Sequence, residues 1–218
     1  MKKKFLIATV LLFAFACAGP KAPIVQKEED PVAYSRLSAI APRVIYAMDA
    51  ENFSKYKLAI VDSPDVNAYA VGSDFTIVFL RGAMNTFNDD ELTFVLAHEV
   101  AHLKLGHYGK RVGASVATTG AFTVANVFLP GVGLLNHLVN PLVVKGFSRS
   151  QEMDADALAV QSIQKCCSLS PDAAISAHQK LLAIARAKGY KEEDRIGILD
   201  THPSLEKRIK RIEAMKAP

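Results

Sequence analysis

Apolar residues recur every three or four positions in five separate stretches of this chain, the spacing of helices that bury one face. The first predicted helix begins at Pro31, directly after Asp30, and the second opens at Asp89. Two shorter runs, "KLAIVDS" and "DFTIVFL", are rich in β-branched residues and are bounded by turn residues, so they predict strands. The pattern therefore predicts an α+β fold that is mostly helical, with a small sheet beside the second helix.

Three further helices are predicted in the second half of the chain. Ser148 or Ser150 can cap a helix through "QEMDADALAVQSI", and Ser170-Pro171 can start another through "DAAISAHQKLLAIARAK". The last helix follows "THPS" and runs through "LEKRIKRIEAM". Before these helices lies the uncharged segment 112–144, which is long enough to cross a membrane. Its glycines and Pro130 favour an apolar hairpin packed on the domain or dipping into a membrane surface, with an integral span as the alternative.

The first residues of the chain predict export. Three lysines precede an apolar run that ends at Ala16, which is typical of a signal peptide over residues 1–16. Cys17 ends "AFAC", a pattern like a bacterial lipobox, and predicts a lipoprotein on the periplasmic face of the outer membrane. Ordinary cleavage to a soluble periplasmic protein is the alternative. Residues 17–30 are rich in Pro and charge and predict a flexible tether, so the folded domain is expected over 31–218.

Charge and cysteine usage narrow the range of functions. The chain has 26 basic and 22 acidic residues, and losing the three leader lysines lowers the basic count to 23, so the charge favours no nucleic-acid partner. Beyond the leader, the cysteines are Cys166 and Cys167. Neighbouring cysteines cannot form an unstrained bridge with each other, so they indicate core packing near a helix end rather than a disulfide framework. Oxidation of the pair stays open.

Metal chemistry is indicated by "LAHEVAHLKLGH", which contains three of the six histidines. His98 and His102 stand four residues apart on the second predicted helix, so both imidazoles project from one face and can chelate a single Zn²⁺. Glu99 lies between them and is angled toward the water that such a metal would hold. This HExxH pattern on a capped amphipathic helix predicts a zinc site with a general base beside it.

A catalytic zinc needs a third protein ligand and an open position. The metzincin spacing is excluded, because Leu105 and Tyr108 occupy the positions where that class has Gly and His. His107 is one residue short of the required place, so we expect it to be a structural or surface histidine outside the site. The helix through "SRSQEMDADALAV" offers Glu152 as the ligand, and Asp156 one turn later can accept a hydrogen bond from the far nitrogen of a zinc histidine.

At these residues the chain resembles the zinc metallopeptidases of family 48, gluzincins that include HtpX, the CAAX prenyl proteases and periplasmic proteases of the BepA type. The resemblance covers roughly residues 67–208 and rests on the order and spacing of "NAYAVGSDFTIVFLRGAM", "ELTFVLAHEVAHLKLGH", "SRSQEMDAD" and "THPSLEKRI". It implies a zincin-like metallopeptidase domain with one Zn²⁺ per chain. The implied roles are zinc ligand for His98, His102 and Glu152, catalytic acid and base for Glu99, and hydrogen-bond partner of a ligand for Asp156.

Two further assignments follow only from the resemblance. The stretch Asn67, Ala68, Tyr69 and Ala70 is similar to the family's edge strand, which would bind an extended substrate by strand addition, although an ordinary turn and strand is the alternative. In "HPSLEKR", His202 resembles a residue that can approach the zinc, and Arg208 resembles one near the active site. His202 is thus a candidate displaceable fourth ligand that keeps the enzyme latent, and both are candidate helpers of the oxyanion. Alternatively, His202 only starts the last helix.

The expected function is that of a zinc-dependent endopeptidase of the bacterial cell envelope, a minimal lipoprotein form of the family. By the resemblance, it would hydrolyse peptide bonds in misfolded or unassembled envelope proteins and reach the membrane through its lipid anchor. One alternative is a zinc-binding outer-membrane assembly factor or chaperone with minor proteolysis, which shares every metal ligand. Another is an integral membrane protease, which depends on the segment 112–144.

Overall fold

The computed structural model describes residues 23–71, 75–108, 147–190, 202 and 204–216. The elements in chain order are α1 (Pro31–Asp49), a 3₁₀ helix (Ala50–Lys55), β1 (Lys57–Val61), β2 (Ala68–Val71), β3 (Thr76–Leu80), α2 (Arg81–Thr86), α3 (Asp89–Lys104), α4 (Arg149–Cys167), α5 (Asp172–Ala187) and α6 (Leu205–Ala214). The predicted α+β fold, mostly helical with a small sheet, is confirmed. The 3₁₀ helix and α2 are additions that the hydrophobic pattern did not predict.

Local capping explains where the long helices begin. The side chain of Asp30 accepts a hydrogen bond from the backbone N–H of Ala33 at 3.0 Å and so caps α1. Asn88 caps α3 and Ser148 caps α4, and each cap forms a reciprocal capping box with the side chain three residues later. Ser148 rather than Ser150 is therefore the cap of α4. These boundaries determine which side chains of α3 and α4 face each other.

The sheet places its shortest strand next to the helix that carries the HExxH motif. The strand order is β1-β3-β2, with β1 parallel and β2 antiparallel to β3. β2 is thus an edge strand of this sheet, and it packs against α3. This arrangement confirms that the small sheet lies beside the HExxH helix.

The prediction of a flexible tether is wrong for residues 23–30, the part of it that the structure describes. Ile24 forms an antiparallel bridge with β1, and the N–H of Val25 donates to the carbonyl of Ile60 at 2.9 Å. The side chain of Val25 is buried in the core. Two apolar residues are too few to show a period in the sequence, but they gain burial and hydrogen bonds by adding to the free edge of β1. Cys17 and the predicted signal peptide lie outside the described residues.

Helix α3 is held in place from several sides. It packs against α1, α4 and α5 as well as β2. Its side chains Leu92, Leu96 and Val100 are fully buried, and each such burial contributes about 1.5–3 kcal/mol to folding. The HExxH motif therefore sits on a rigid support. None of the helices in the described ranges has the length and apolar character needed to cross a membrane, and the predicted hairpin 112–144 lies outside those ranges.

Cys166 and Cys167 form the end of α4. Both side chains are half-buried and pack against the core, as the sequence predicts. Their Sγ atoms also lie within bonding distance of each other as a vicinal disulfide, the oxidised pairing that the sequence left open.

Candidate metal centre

Two helices bring the predicted metal ligands together. His98 and His102 project from α3 toward α4, where Glu152 lies in the first turn, and all three side chains are almost fully buried. The Nε2 atoms of His98 and His102 are 3.0 Å apart. Glu152 Oε2 lies 3.5 Å from Nε2 of His98, and its Oε1 lies 3.3 Å from Nε2 of His102. The predicted spacing on two separate helices thus gives one compact group of donor atoms.

His202 completes a group of four side chains that could hold a metal ion. Its donor atom and those of His98, His102 and Glu152 all lie within 4.8 Å of one another. Nδ1 of His202 is 3.2 Å from Oε2 of Glu152, and its Nε2 is 3.4 Å from the carbonyl oxygen of Ala68 on β2. His202 is buried, so its position is part of the interior of the site.

Asp156 lies behind His98, one turn after Glu152 on α4. Its Oδ1 is 3.0 Å from Nδ1 of His98, the ring nitrogen that faces away from the cluster. In the neutral ring, a proton on that Nδ1 leaves a lone pair on Nε2, which faces the donor atoms of His102 and Glu152. The arrangement is the one expected from the four-residue spacing of Glu152 and Asp156.

Arg208 is a clamp on the two carboxylates of α4. Its Nε and Nη2 each donate to Asp156 at 2.6 Å, and its Nη1 is 2.5 Å from Oε2 of Glu152. The two donors make the pairing with Asp156 bidentate, and the guanidinium is 98% buried, so the pair is shielded from water. These contacts make Arg208 a positioning residue for the two carboxylates, and its role as an oxyanion helper stays a prediction.

The expectation that His107 stands outside the site is wrong. Its Nδ1 lies 2.9 Å from Nδ1 of His102, and its side chain is 98% buried. Gly106, with φ of +65°, turns the chain after α3, and His107 then reaches back to the far nitrogen of His102. For Nε2 of His102 to bind a metal, its Nδ1 must keep the proton and donate a hydrogen bond to Nδ1 of His107. His107 therefore does for His102 what Asp156 does for His98.

Charge pairing and burial set the protonation of the cluster. Burial opposes ionisation of Asp156 and Glu152, but Arg208 and the neighbouring histidines together outweigh it and hold the pKa of each carboxyl well below its usual range. Burial lowers the pKa of His98, yet Asp156 and Glu152 together raise it to about 9. At His102, burial and the neighbouring His98 lower the pKa to about 3. The ring of His102 is therefore neutral and can offer a lone pair to a metal ion.

Glu99 occupies a different environment from the ligands. Its carboxyl is 99% buried, and Oε2 accepts a hydrogen bond from the backbone N–H of Ala70 at 2.9 Å. The hydroxyl oxygen of Tyr108 accepts from the same N–H at 3.2 Å, and Nε2 of His202 is 3.6 Å from Oε1 of Glu99. Burial raises the pKa of the Glu99 carboxyl. A raised pKa suits a group that must accept and then return a proton.

The donor set fits a divalent metal ion. Two imidazole nitrogens and one carboxylate are a common ligand set of catalytic zinc. Oε1 of Glu152 is buried and has no hydrogen-bond partner in the part of the chain that the structure describes. A buried carboxylate oxygen without a donor is costly unless a cation satisfies it. The residues present therefore match the group that the sequence predicts.

Comparison with known proteins agrees with this geometry. Residues 32–216 match the sequence profile of Peptidase family M48. The chain belongs to peptidase family M48. The matched range runs from α1 to α6 and includes every residue of the cluster, so the fold and the candidate site lie within one M48 domain.

Named relatives of this M48 chain are metallopeptidases of bacteria and mitochondria. This chain is 28% identical over 178 residues to the mitochondrial metalloendopeptidase OMA1 of Schizosaccharomyces pombe, and the alignment covers 81% of this chain and 51% of that relative. It is 28% identical over 154 residues to the metalloprotease LoiP of Escherichia coli, covering 68% and 58%. A protease HtpX homolog of Neisseria meningitidis is 28% identical over 195 residues, covering 75% and 68%. The chain therefore spans little more than half the length of the first two relatives.

His178, which sequence reasoning left aside, also reaches the site. It is buried on α5, where Nδ1 is 2.7 Å from the carbonyl oxygen of Ala174, and its ring lies 5.3 Å from that of Phe94. Nε2 faces Oδ1 of Asp156 at 3.7 Å, beyond hydrogen-bond distance. Burial and Arg208 lower the pKa of His178 to about 3, so the ring is neutral. A histidine within an apolar helix face gives no spacing signal that could have identified it.

Proposed function

We propose that this M48 protein is a zinc-dependent metalloendopeptidase in which His98, His102 and Glu152 hold one Zn²⁺. The observation that carries the proposal is the convergence of these buried donors beside the buried carboxyl of Glu99. When bound there, zinc polarises the scissile carbonyl and lowers the pKa of a coordinated water from about 15.7 toward 7. Asp156 and His107 hold the two imidazoles in the tautomers that this binding requires.

Glu99 is the proton carrier in the proposed reaction. Because burial raises its pKa, its carboxylate can take a proton from the attacking water and then return it to the leaving amine. Oε2 is bonded to the Ala70 N–H, so the carboxyl is fixed on the side of β2. That contact keeps the general base beside the strand where a substrate would lie.

We propose that the substrate adds to β2 as an extended strand. The carbonyl of Asn67 accepts from the N–H of Leu80 at 3.0 Å, so the alternation of backbone groups directs those of Ala68 and Ala70 away from β3. Tyr69 then uses its backbone groups in the sheet. In this structure the outward carbonyl of Ala68 is hydrogen-bonded to His202, and the outward N–H of Ala70 is hydrogen-bonded to Glu99. A bound strand would replace those partners.

His202 is proposed as a displaceable fourth ligand that keeps the site latent. It lies within the donor group and also bonds the outward carbonyl of Ala68, so it occupies both the metal side and the substrate side of the centre. A His202→Ala variant is expected to cleave peptides faster than wild type while still binding zinc. Unchanged cleavage and zinc affinity would favour the simple role of a residue before the last helix.

The cell-envelope location is proposed from the leader and from Cys17. The lipobox-like "AFAC" supports a lipid anchor on the periplasmic face of the outer membrane, where misfolded or unassembled envelope proteins would be the substrates. Labelled palmitate should enter the wild-type protein and not a Cys17→Ser variant. Incorporation that survives this substitution would contradict the lipid anchor.

The central experiment combines metal content with proteolysis. Purified wild type is expected to hold one zinc per chain and to cleave casein, and Glu99→Gln should keep the zinc but lose about 10²–10⁴-fold in rate. Glu213→Gln, at an exposed position on α6, is the matched control and should behave as wild type. A wild type without zinc would refute the metal centre. An envelope phenotype rescued by Glu99→Gln would favour the assembly-factor alternative.

A further inference from the structure

The hydroxyl group of Tyr108 meets the edge strand β2 beside the general base. Its oxygen lies 3.2 Å from the backbone nitrogen of Ala70, whose N–H is also bonded to Oε2 of Glu99 at 2.9 Å. Two acceptors thus share one N–H, a three-centre arrangement that brings the phenol and the carboxyl to the same point of the strand. A group that reacts beside Glu99 at this strand therefore lies within reach of Tyr108.

Aromatic contacts hold the ring of Tyr108 in place. The ring stands edge-on to that of Phe147, with ring centroids 4.9 Å apart and an angle of 89° between the planes. Phe147 is buried and stacks on His102, with centroids 3.8 Å apart. Edge-to-face and stacked contacts are the favourable arrangements of aromatic rings. Because His102 is fixed on α3, the hydroxyl of Tyr108 has a defined position relative to a metal ligand.

A peptide bound to β2 would bring a carbonyl group to this hydroxyl. Ala68 directs its carbonyl outward and Ala70 its N–H, and these groups are now bonded to His202 and Glu99. A bound strand would pair its own N–H with Ala68 and its own carbonyl with Ala70, as neighbouring strands do. That carbonyl oxygen has two lone pairs, so it can accept from the N–H of Ala70 and from the hydroxyl of Tyr108 together.

We propose that Tyr108 is a catalytic residue whose hydroxyl donates, together with the N–H of Ala70, to the oxyanion that forms at the scissile carbonyl. The inference rests on the proposed function, because it concerns the same reaction at the same site. The carbonyl at Ala70 is taken as the scissile one because Oε2 of Glu99 is bonded to that same N–H. A general base must lie within hydrogen-bond reach of the group from which it takes the proton.

The charge at the carbonyl oxygen changes during the reaction. As water adds to the carbonyl carbon, the C=O π pair moves onto oxygen and Glu99 takes the proton of the water. When the C=O bond forms again, the C–N bond breaks and Glu99 returns the proton to the leaving amine. The hydroxyl of Tyr108 donates more strongly to the anionic oxygen than to the neutral carbonyl, so the contact favours the transition state over the bound substrate. A phenol is neutral, so it supplies this hydrogen bond without the cost of burying a charge.

Removal of one hydroxyl tests the assignment. Tyr108→Phe keeps the ring and its contact with Phe147 but lacks the O–H donor. The substrate is a quenched fluorogenic peptide with the sequence of the main cleavage site in casein, located by mass spectrometry. For the zinc-loaded full chain, kcat should fall about 10²–10³-fold while KM stays within about twofold. Tyr46→Phe, which removes an exposed hydroxyl on α1, is the matched control and should behave as wild type.

Binding measurements separate the oxyanion from ordinary contacts with the substrate. A phosphonamidate analogue of the peptide carries a tetrahedral anionic phosphoryl group in place of the scissile bond, and it is titrated calorimetrically into wild type and Tyr108→Phe. The intact peptide is titrated into the same two proteins in the Glu99→Gln background, which does not cleave it. Tyr108→Phe should weaken binding of the analogue at least about tenfold and leave the Kd of the peptide and the zinc content unchanged.

Three results would overturn the assignment in a folded, zinc-loaded Tyr108→Phe variant. An unchanged kcat would show that the hydroxyl has no part in the reaction. A raised KM with unchanged kcat would place the hydroxyl on the bound substrate only. A shifted acidic limb of the pH profile of kcat/KM, with unchanged binding of the analogue, would show that Tyr108 acts through Glu99.

Failure of the protease function has a separate signature. If zinc-loaded wild type cleaves neither casein nor the peptide, the proposed function fails and the assignment of Tyr108 fails with it. If wild type cleaves both and Tyr108→Phe cleaves them at the same rates, the assignment of Tyr108 fails alone.

Discussion

The role of His107 gives the sharpest test of how the metal centre is supported. A His107→Leu substitution removes the acceptor that lies 2.9 Å from Nδ1 of His102 and keeps the position apolar. Because His102 is fully buried, its N–H would then have no partner, which costs about 1–3 kcal/mol. At about 1.4 kcal/mol for each factor of ten, zinc should bind roughly 5- to 150-fold more weakly. Loss of such an outer hydrogen bond to a zinc histidine typically costs about 10- to 100-fold.

The measurement is a competition titration of zinc against a chromophoric chelator, with circular dichroism to show that the variant is folded. His107→Gln offers an amide oxygen to His102 and should recover part of the affinity lost in His107→Leu. If folded His107→Leu binds zinc within about twofold of wild type, the hydrogen bond to His102 does not support the metal centre, and the orienting role is refuted.

Other substitutions test the scaffold. Asp156→Asn leaves the guanidinium of buried Arg208 poorly paired and should cost about 3–5 kcal/mol in urea unfolding. Burial opposes ionisation of Glu91, but Lys180, Ser176 and the backbone of Asn88 together outweigh it and lower the pKa of that carboxyl. The stabilisation is therefore present above the unfolded pKa and is lost as pH falls through the folded pKa. In Glu91→Gln, the free energy of unfolding should therefore depend less on pH below about pH 4.3 than it does in wild type. Gly82→Ala places a Cβ against backbone carbonyls and should lower the melting temperature measurably.

The elements that were predicted correctly are those whose signals are local. Asp30, Asn88 and Ser148 cap their helices through contacts within three residues, so the printed sequence already contains both partners. The HExxH spacing and the four-residue spacing of Glu152 and Asp156 likewise follow from helix geometry alone. The convergence of α3 and α4 was expected from the resemblance and depends on burial of their apolar faces.

The wrong expectations concern contacts that depend on the path of the chain. The place of His107 was judged by continuing α3 as an ideal helix, but Gly106 ends that geometry with a positive φ. Residues 17–30 were predicted to be a tether because they are rich in Pro and charge, although β1 offers a free edge to Ile24 and Val25. Arg208 lies near the active site, as the resemblance implies, but its pairing with two carboxylates on α4 depends on the path of the chain and could not be predicted from spacing.

The charge of the cluster explains why protonation and metal binding are linked. The described site buries the carboxylates of Glu152 and Asp156, and Arg208 compensates only part of their charge. A proton on His98, whose pKa these carboxylates raise to about 9, supplies further positive charge. A divalent cation on Nε2 of His98 must displace that proton, so metal uptake releases protons and is favoured as pH rises. The same carboxylates that hold the proton would then attract the metal, and Glu99, whose pKa is raised mainly by burial, stays available as the base.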